Sequence, residues 1–126
     1  MFGKENLIFI IDDDVAYGKL IKATLKKHSY NNVKVFTKEH DFLDNMDQYP
    51  HIVICDYHLN TMNGLKLIEL AKETHPFFYS ILLSGEFHIN ADGALDQRFI
   101  HLVDRYLIKN MDELNELVHT LDYEVQ

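Results

Sequence analysis

Cysteine occurs once in these 126 residues, proline twice and glycine five times. A single thiol, Cys55, closes no internal disulfide and fits a reducing compartment. With little proline and glycine and 47% hydrophobic residues, the composition excludes a collagenous, low-complexity or disordered chain. No apolar run approaches the roughly 20 residues needed to span a bilayer, so no membrane partner is expected. The N-terminal MFGKENLIFII has no small-residue cleavage site and does not read as a signal peptide. Basic residues are also in the minority: 12 Lys+Arg face 20 Asp+Glu, a formal charge of −8. Such a surface repels duplex DNA unless a basic patch offsets it. Lys19, Lys22, Lys26 and Lys27 share one segment and read as a solvated helix face, so direct nucleic-acid binding is not expected. The chain reads as a soluble cytoplasmic protein, one domain over residues 1–126, able to bury roughly two-thirds of its unfolded surface.

What is present is alternation. Leu7 to Ile11 is a continuous apolar run that stops at acids, the signature of a strand covered on both faces. Asp14 is placed to cap a helix in which Tyr17, Leu20, Ile21, Leu25 and His28 recur at helical spacing. Asn31-Asn32 marks a turn into a second strand, Val33 to Phe36. Thr37 is the expected cap of a weaker helix using Phe42, Leu43 and Met46, ended by Pro50. A third run, His51 to Cys55, closes on Asp56. Leu65, Leu67, Ile68 and Leu70 begin a helix ended by Pro76, and Phe78 to Leu83 is a fourth strand closed by Ser84-Gly85. Residues 91–103 are expected to be helical despite Gly93, and Arg105 to Ile108 form a fifth strand. Asn110 and Glu113 make a capping box for a last helix carrying Met111, Leu114, Leu117, Val118 and Leu121.

Five strand–helix units imply a doubly wound α/β fold, a parallel sheet with helices on both faces. In such sheets ligands bind beyond the C-terminal strand ends. Asp12, Asp13 and Asp14 follow the first strand, Asp56 the third, Ser84 the fourth and Lys109 the fifth. Carboxylates brought together repel unless protonated or bridged by a cation. Hard oxygen ligands at a solvent-facing edge suit Mg²⁺, which takes one or two carboxylates plus phosphate oxygens. Lys109 supplies a point charge and Ser84 a hydroxyl for phosphoryl oxygens, leaving one carboxylate to attack phosphorus. Any one of these acids alone would read as a strand end or helix cap.

These residues resemble the receiver domain of bacterial two-component response regulators, particularly single-domain chemotaxis-type (CheY-like) regulators, over essentially the whole length. IFIIDDD is similar to the first-strand motif with its acidic pair, Asp12 and Asp13. VICDYHLNTMNGLKLI is similar to the phosphorylation motif, with Asp56 as acceptor and Asn63-Gly64 in the following loop. ILLSG carries the Ser/Thr as Ser84, and RYLIKN the lysine as Lys109 and the switch aromatic as Tyr106. The resemblance implies a five-stranded parallel sheet of flavodoxin-like order 2-1-3-4-5. It implies Mg²⁺ held by Asp13 and Asp56, by Asp12 through water, and by the backbone carbonyl of His58. It further implies that Asp56 takes a phosphoryl group from a sensor histidine kinase or histidine phosphotransfer protein, with Lys109, Ser84 and the Gly85 amide on the phosphoryl oxygens. Ser84 and Tyr106 would then shift, changing the face of the fourth helix, fifth strand and last helix for a downstream effector. The resemblance leaves room for a phosphorylation-dependent homodimer through that face. No separate substrate turnover is implied. The chain ends just after the last helix, so no DNA-binding or catalytic output module is expected in it.

Asn60 and Asn110 replace the prolines usual in the family, Gly85 replaces the common Ala, and the Ser84–Lys109 stretch is a few residues longer than usual. Those departures bear on the Lys109 loop and the fourth helix. Asp14 reads as a plain cap. His58 and Glu86, two residues beyond Asp56 and Ser84, have two open readings: tuning acyl-phosphate hydrolysis, or plain exposed polar residues. Tyr57 reads as a lid or partner contact. The eight histidines show no i,i+4 pair and no Cys partner, so zinc is not expected; His28 reads as a packed residue and Cys55 as buried and inert. Two other classes compete. A haloacid-dehalogenase-like phosphatase would use Asp12 as nucleophile, but it lacks a late acid pair and leaves Asp56 idle. A pseudo-receiver adaptor would bind partners without phosphorylation.

Overall fold

The structure, a computed structural model, describes residues 3–85, 101–109 and 112–125, with the backbone alone at 124–125. Glu86, residues 91–100 of the expected fourth helix, Asn110 and Met111 lie outside the described residues; His101 and Leu102 are helical. The sheet has five parallel strands: β1 (Ile8–Ile11), β2 (Val33–Phe36), β3 (Ile52–Asp56), β4 (Tyr79–Ser84) and β5 (Arg105–Ile108), ordered 2-1-3-4-5. The described helices are α1 (Val15–Lys27), α2 (Glu39–Asp44), α3 (Gly64–Thr74) and α4 (Glu113–Val125), with a 3₁₀ turn at Met46–Gln48.

Every residue of β1 and β3 is buried, as expected of central strands covered on both faces. Alternate side chains point to opposite sides. Ile8, Ile10, Ile52, Ile54, Ile81, Leu83 and Leu107 meet Ile21 and Leu25 of α1 and Leu117, Val118 and Leu121 of α4. Phe9, Ile11, Val53, Cys55 and Leu82 meet Phe42 of α2, Met46, and Leu65, Leu67, Ile68 and Ala71 of α3. The sheet thus divides the core in two. On the α2 side Phe9, Phe36 and Phe42 pack edge to face, centroids 4.8 to 6.1 Å apart.

The register brings the C-terminal strand ends level. Ile11 pairs with both Phe36 and Cys55, Asp56 with Leu83, and Ser84 with Ile108. The residues that follow, Asp12 and Lys109, therefore emerge beside Asp56 and Ser84 at one edge.

Three local expectations are corrected. Leu20 is 48% exposed, because the buried stripe of α1 runs through Gly18, Ile21 and Leu25 and Leu20 lies a hundred-degree step to one side. His28 is exposed, not packed: the helix stops at Lys27, and His28 is the non-helical C-cap whose carbonyl accepts from the Lys4 ammonium at 2.8 Å. The residue before α2 is Lys38, not Thr37, and its side chain does not cap. The Asp14 cap is present, its carboxylate accepting from the Tyr17 amide at 3.1 Å.

Leu25→Ala should lower the unfolding free energy by about 2–5 kcal/mol. Leu20→Ala should change it by about 0.5 kcal/mol or less. Urea unfolding of the two variants checks which residue of α1 faces the core; equal losses would contradict this packing.

Candidate functional site

The site is assembled from four strand ends. Asp12 follows β1 and is 1% exposed; its Oδ1 accepts from the Asp14 amide at 2.9 Å. Asp56 closes β3 at 5% exposure. Lys109 follows β5 and its ammonium stands 2.9 Å from Asp56 Oδ1 and 3.3 Å from Asp12 Oδ2. Asp13 is half-buried, and one carboxylate oxygen each of Asp12, Asp13 and Asp56 lie within 4.8 Å of one another. Ser84 is fully buried at the end of β4, its carbonyl accepting from the Lys109 amide at 2.6 Å. Gly85 is exposed, with open space where a Cβ would stand.

The electrostatics follow from burial. Desolvation raises the Asp12 carboxyl above its ordinary range; the Asp14 amide and Lys109 pull it back, and Asp56 adds to the rise. Burial alone would depress Lys109, but the hydrogen bond to Asp56 and the charge of Asp12 outweigh it and hold the ammonium above the usual lysine range. Three carboxylates this close, two of them buried, fit a hard divalent cation with oxygen ligands, Mg²⁺ above all.

The loop after Asp56 is held from two sides. Gly64 presses on the Asp56 carbonyl so closely that an added Cβ would come within 2.2 Å of it, which accounts for glycine there. Its amide donates to the Tyr57 carbonyl at 2.7 Å, and Asn63 caps α3 by accepting from the Lys66 amide at 2.8 Å. From the other side Glu39, 5% exposed, accepts from the Thr61 amide at 2.6 Å and from the Thr61 hydroxyl. Burial works to raise the Glu39 carboxyl, but these bonds prevail and hold it below its ordinary range. His58 is exposed in this loop, bridged through its backbone to Asn63, with its ring edge-on to Tyr57. Tyr106 is half-buried one strand over, opposite Leu82, against the cluster on the α2 and α3 side. Cys55 is fully buried, and burial pushes its thiol well above the ordinary range, as an inert thiol requires.

The structure thus gathers Asp12, Asp13, Asp56 and Lys109 at the edge where Ser84 ends β4, and leaves Tyr106 and His58 at its margins. Three further residues bear on the site. Glu39 braces the Asp56 loop. Tyr17 lies under Lys109, the ammonium 4.4 Å from the ring centroid, and donates its hydroxyl to the Glu113 carboxylate. In the sequence Tyr17 is one of the residues at helical spacing and Glu113 is half of a capping box, and nothing singles out Glu39. Contacts 22 and 96 residues apart have no periodic signal to reveal them.

A model of the response regulator receiver domain family matches residues 8–122, and the chain belongs to that family. Solved structures show the same fold. A receiver domain protein (CheY-like) from Methanospirillum hungatei is 20% identical, covering 96% of this chain and 94% of its own, with a TM-score of 0.80. The chemotaxis protein CheY4 of Vibrio cholerae is 16% identical over 94% of this chain and 98% of its own, with a TM-score of 0.78. TrrA from Thermotoga maritima, solved in complex with Mg²⁺ and BeF, is 23% identical over 92% and 98%, with a TM-score of 0.75.

The Glu39 clamp has a pH signature. Its folded-state value lies below the ordinary 4.5, so it adds stability at neutral pH that is lost as pH falls from there through the lower folded value. Glu39→Gln should be less stable than the natural chain near pH 7, by about 1–3 kcal/mol. The two urea midpoints should converge as pH drops below the ordinary glutamate range. A gap independent of pH would refute the clamp.

Proposed function

We propose that the whole chain, residues 1–126, is a receiver whose Asp56 carboxylate accepts a phosphoryl group with Mg²⁺ bound at Asp12, Asp13, Asp56 and the backbone carbonyl of His58. The observation that carries this reading is the Lys109 ammonium set 2.9 Å from Asp56 and 3.3 Å from Asp12 on the edge shared by three carboxylates. When bound, Mg²⁺ supplies positive charge that neutralises the acids and the incoming phosphoryl oxygens. An Asp56 oxygen attacks the phosphorus of a phosphohistidine on a sensor kinase or phosphotransfer protein. The new P–O bond forms as the P–N bond breaks, and the imidazole keeps that electron pair and takes up a proton. Lys109 transfers its hydrogen bond from the carboxylate to a phosphoryl oxygen, with the Ser84 hydroxyl and the Gly85 amide holding the others.

The phosphoryl group adds nearly two negative charges at a buried strand end. Ser84 moves toward it, and Tyr106, half-buried beside Leu82, turns into the space released. The face that includes β5 and α4 then changes for a downstream effector or a second copy. His58 is exposed two residues beyond Asp56, and in this reading its side chain would tune hydrolysis of the acyl phosphate; a plain exposed polar residue is the other reading. Glu86, its counterpart in that role, lies outside the described residues. Reaction is confined to this self-modification, with no separate substrate turnover. A phosphatase reading with Asp12 as nucleophile is not favoured, since Lys109 stands nearer Asp56 than Asp12. A non-phosphorylated adaptor is not favoured, since the carboxylates, hydroxyl and ammonium are all present. Among the described residues no helix is long and apolar enough to cross a membrane, consistent with a cytoplasmic relay.

Incubation with acetyl phosphate and Mg²⁺ should add the mass of one phosphoryl group, lost in Asp56→Asn and with EDTA. Labelling abolished by Asp12→Asn but kept by Asp56→Asn would establish the phosphatase, and no labelling by any donor the adaptor. Mg²⁺ at tenfold over its Kd should stabilise the fold by about 1.4 kcal/mol, read as a rise in Tm. No rise at millimolar Mg²⁺ would count against the metal site.

A further inference from the structure

Among the described residues Lys109 meets an aromatic ring besides its carboxylates. Its ammonium lies over the Tyr17 ring, 4.4 Å from the centroid, a distance at which the ring face attracts a cation. Tyr17 belongs to the first turn of α1, which the Asp14 cap ties to the same acidic strand end. Its hydroxyl is bonded in turn to Glu113, the first residue of α4. Glu113 is fully buried, and its second carboxylate oxygen meets no hydrogen-bond partner among the described residues. Burying a carboxyl with one oxygen unanswered is costly. The bond it accepts fixes the Tyr17 hydroxyl, and a ring held at its backbone and at its hydroxyl is restrained over the lysine.

A lysine stem is flexible and its ammonium binds as a point charge, so its direction must come from its surroundings. Here the carboxylates draw the ammonium from one side and the ring bounds it on another. We propose that Tyr17 and Glu113 are positioning residues for Lys109: the Glu113-anchored ring holds the ammonium where the phosphoryl oxygen arrives. This rests on Asp56 being the phosphoacceptor. Neither residue touches the phosphoryl group. Both act through Lys109, by ordering it before the donor binds.

The test measures labelling of the full chain by saturating acetyl phosphate with Mg²⁺, and separately the Mg²⁺-induced shift in Tm. Tyr17→Leu should slow labelling about tenfold, between the values of an exposed and a desolvated cation–π contact. Tyr17→Phe, which keeps the ring but not its anchor, should slow it about threefold, at the weaker end of that range. The Mg²⁺ shift should survive in both, since the carboxylates are intact. Glu113→Gln still offers an oxygen to the Tyr17 hydroxyl and should keep most of the rate, whereas Glu113→Ala should behave like Tyr17→Phe. In a Lys109→Ala background Tyr17→Leu should add nothing. Natural-rate labelling by Tyr17→Leu, or an equal slowing with and without Lys109, overturns the proposal. If Tyr17→Leu does not fold, Tyr17→Phe against Glu113→Gln makes the same comparison.

A second readout needs no phosphorylation. The Lys109 side-chain methylene resonances should carry a ring-current shift that Tyr17→Leu removes and Glu113→Gln preserves. That shift in a chain which acetyl phosphate never labels would condemn the Asp56 reading and keep the clamp. Labelling without the shift would condemn the clamp and keep the Asp56 reading.

Discussion

Two buried carboxylates share one ammonium at the C-terminal edge of the sheet. Asp12 and Asp56 are 1% and 5% exposed, and each lies within salt-bridge distance of Lys109. Without a positive charge between them, two acids at adjacent strand ends would repel in a medium that screens poorly. Lys109 answers part of that repulsion, and the three carboxylates that remain close together fit a divalent cation. The same arrangement underlies the proposed role of Asp56: the Lys109 ammonium beside it would answer part of the charge that a phosphoryl group brings.

The remainder of the fold keeps those three residues level. Parallel pairing sets Ile11 beside Cys55 and Asp56 beside Leu83, and the apolar contacts on both faces leave the strands no freedom to slip. Around this frame lie smaller constraints of separate origin. Gly64 lets the chain turn back against the Asp56 carbonyl, Glu39 ties down Thr61, and Asp14 starts α1 directly after the acidic run. Each joins an element of one face to the strand ends, and so constrains a site whose residues all belong to a loop or a strand terminus.

The Leu20 and His28 corrections share a cause. Helical periodicity identifies a stripe of apolar residues, but the width of that stripe is set by what packs against it. The sheet under α1 covers Gly18, Ile21 and Leu25 and leaves Leu20 at the margin, and the helix ends before His28 can join the stripe. Glu113 carries a contact that a local reading does not reach. The sequence reads it as half of a capping box with Asn110, which lies outside the described residues, and its buried carboxylate also accepts from the Tyr17 hydroxyl of α1.

By itself the amino-acid order determined the alternation of strands and helices, and with it a parallel sheet whose loops carry Asp12, Asp13, Asp56, Ser84 and Lys109 to one edge. Those properties are local, since each apolar run, cap and turn is decided by residues within a few positions. Only the tertiary structure decided which acid lies nearest the lysine, which side chain braces the Asp56 loop, and what the Tyr17 ring faces. Those depend on strand register and on side chains brought together from distant segments, and no spacing along a chain records a distance across a fold.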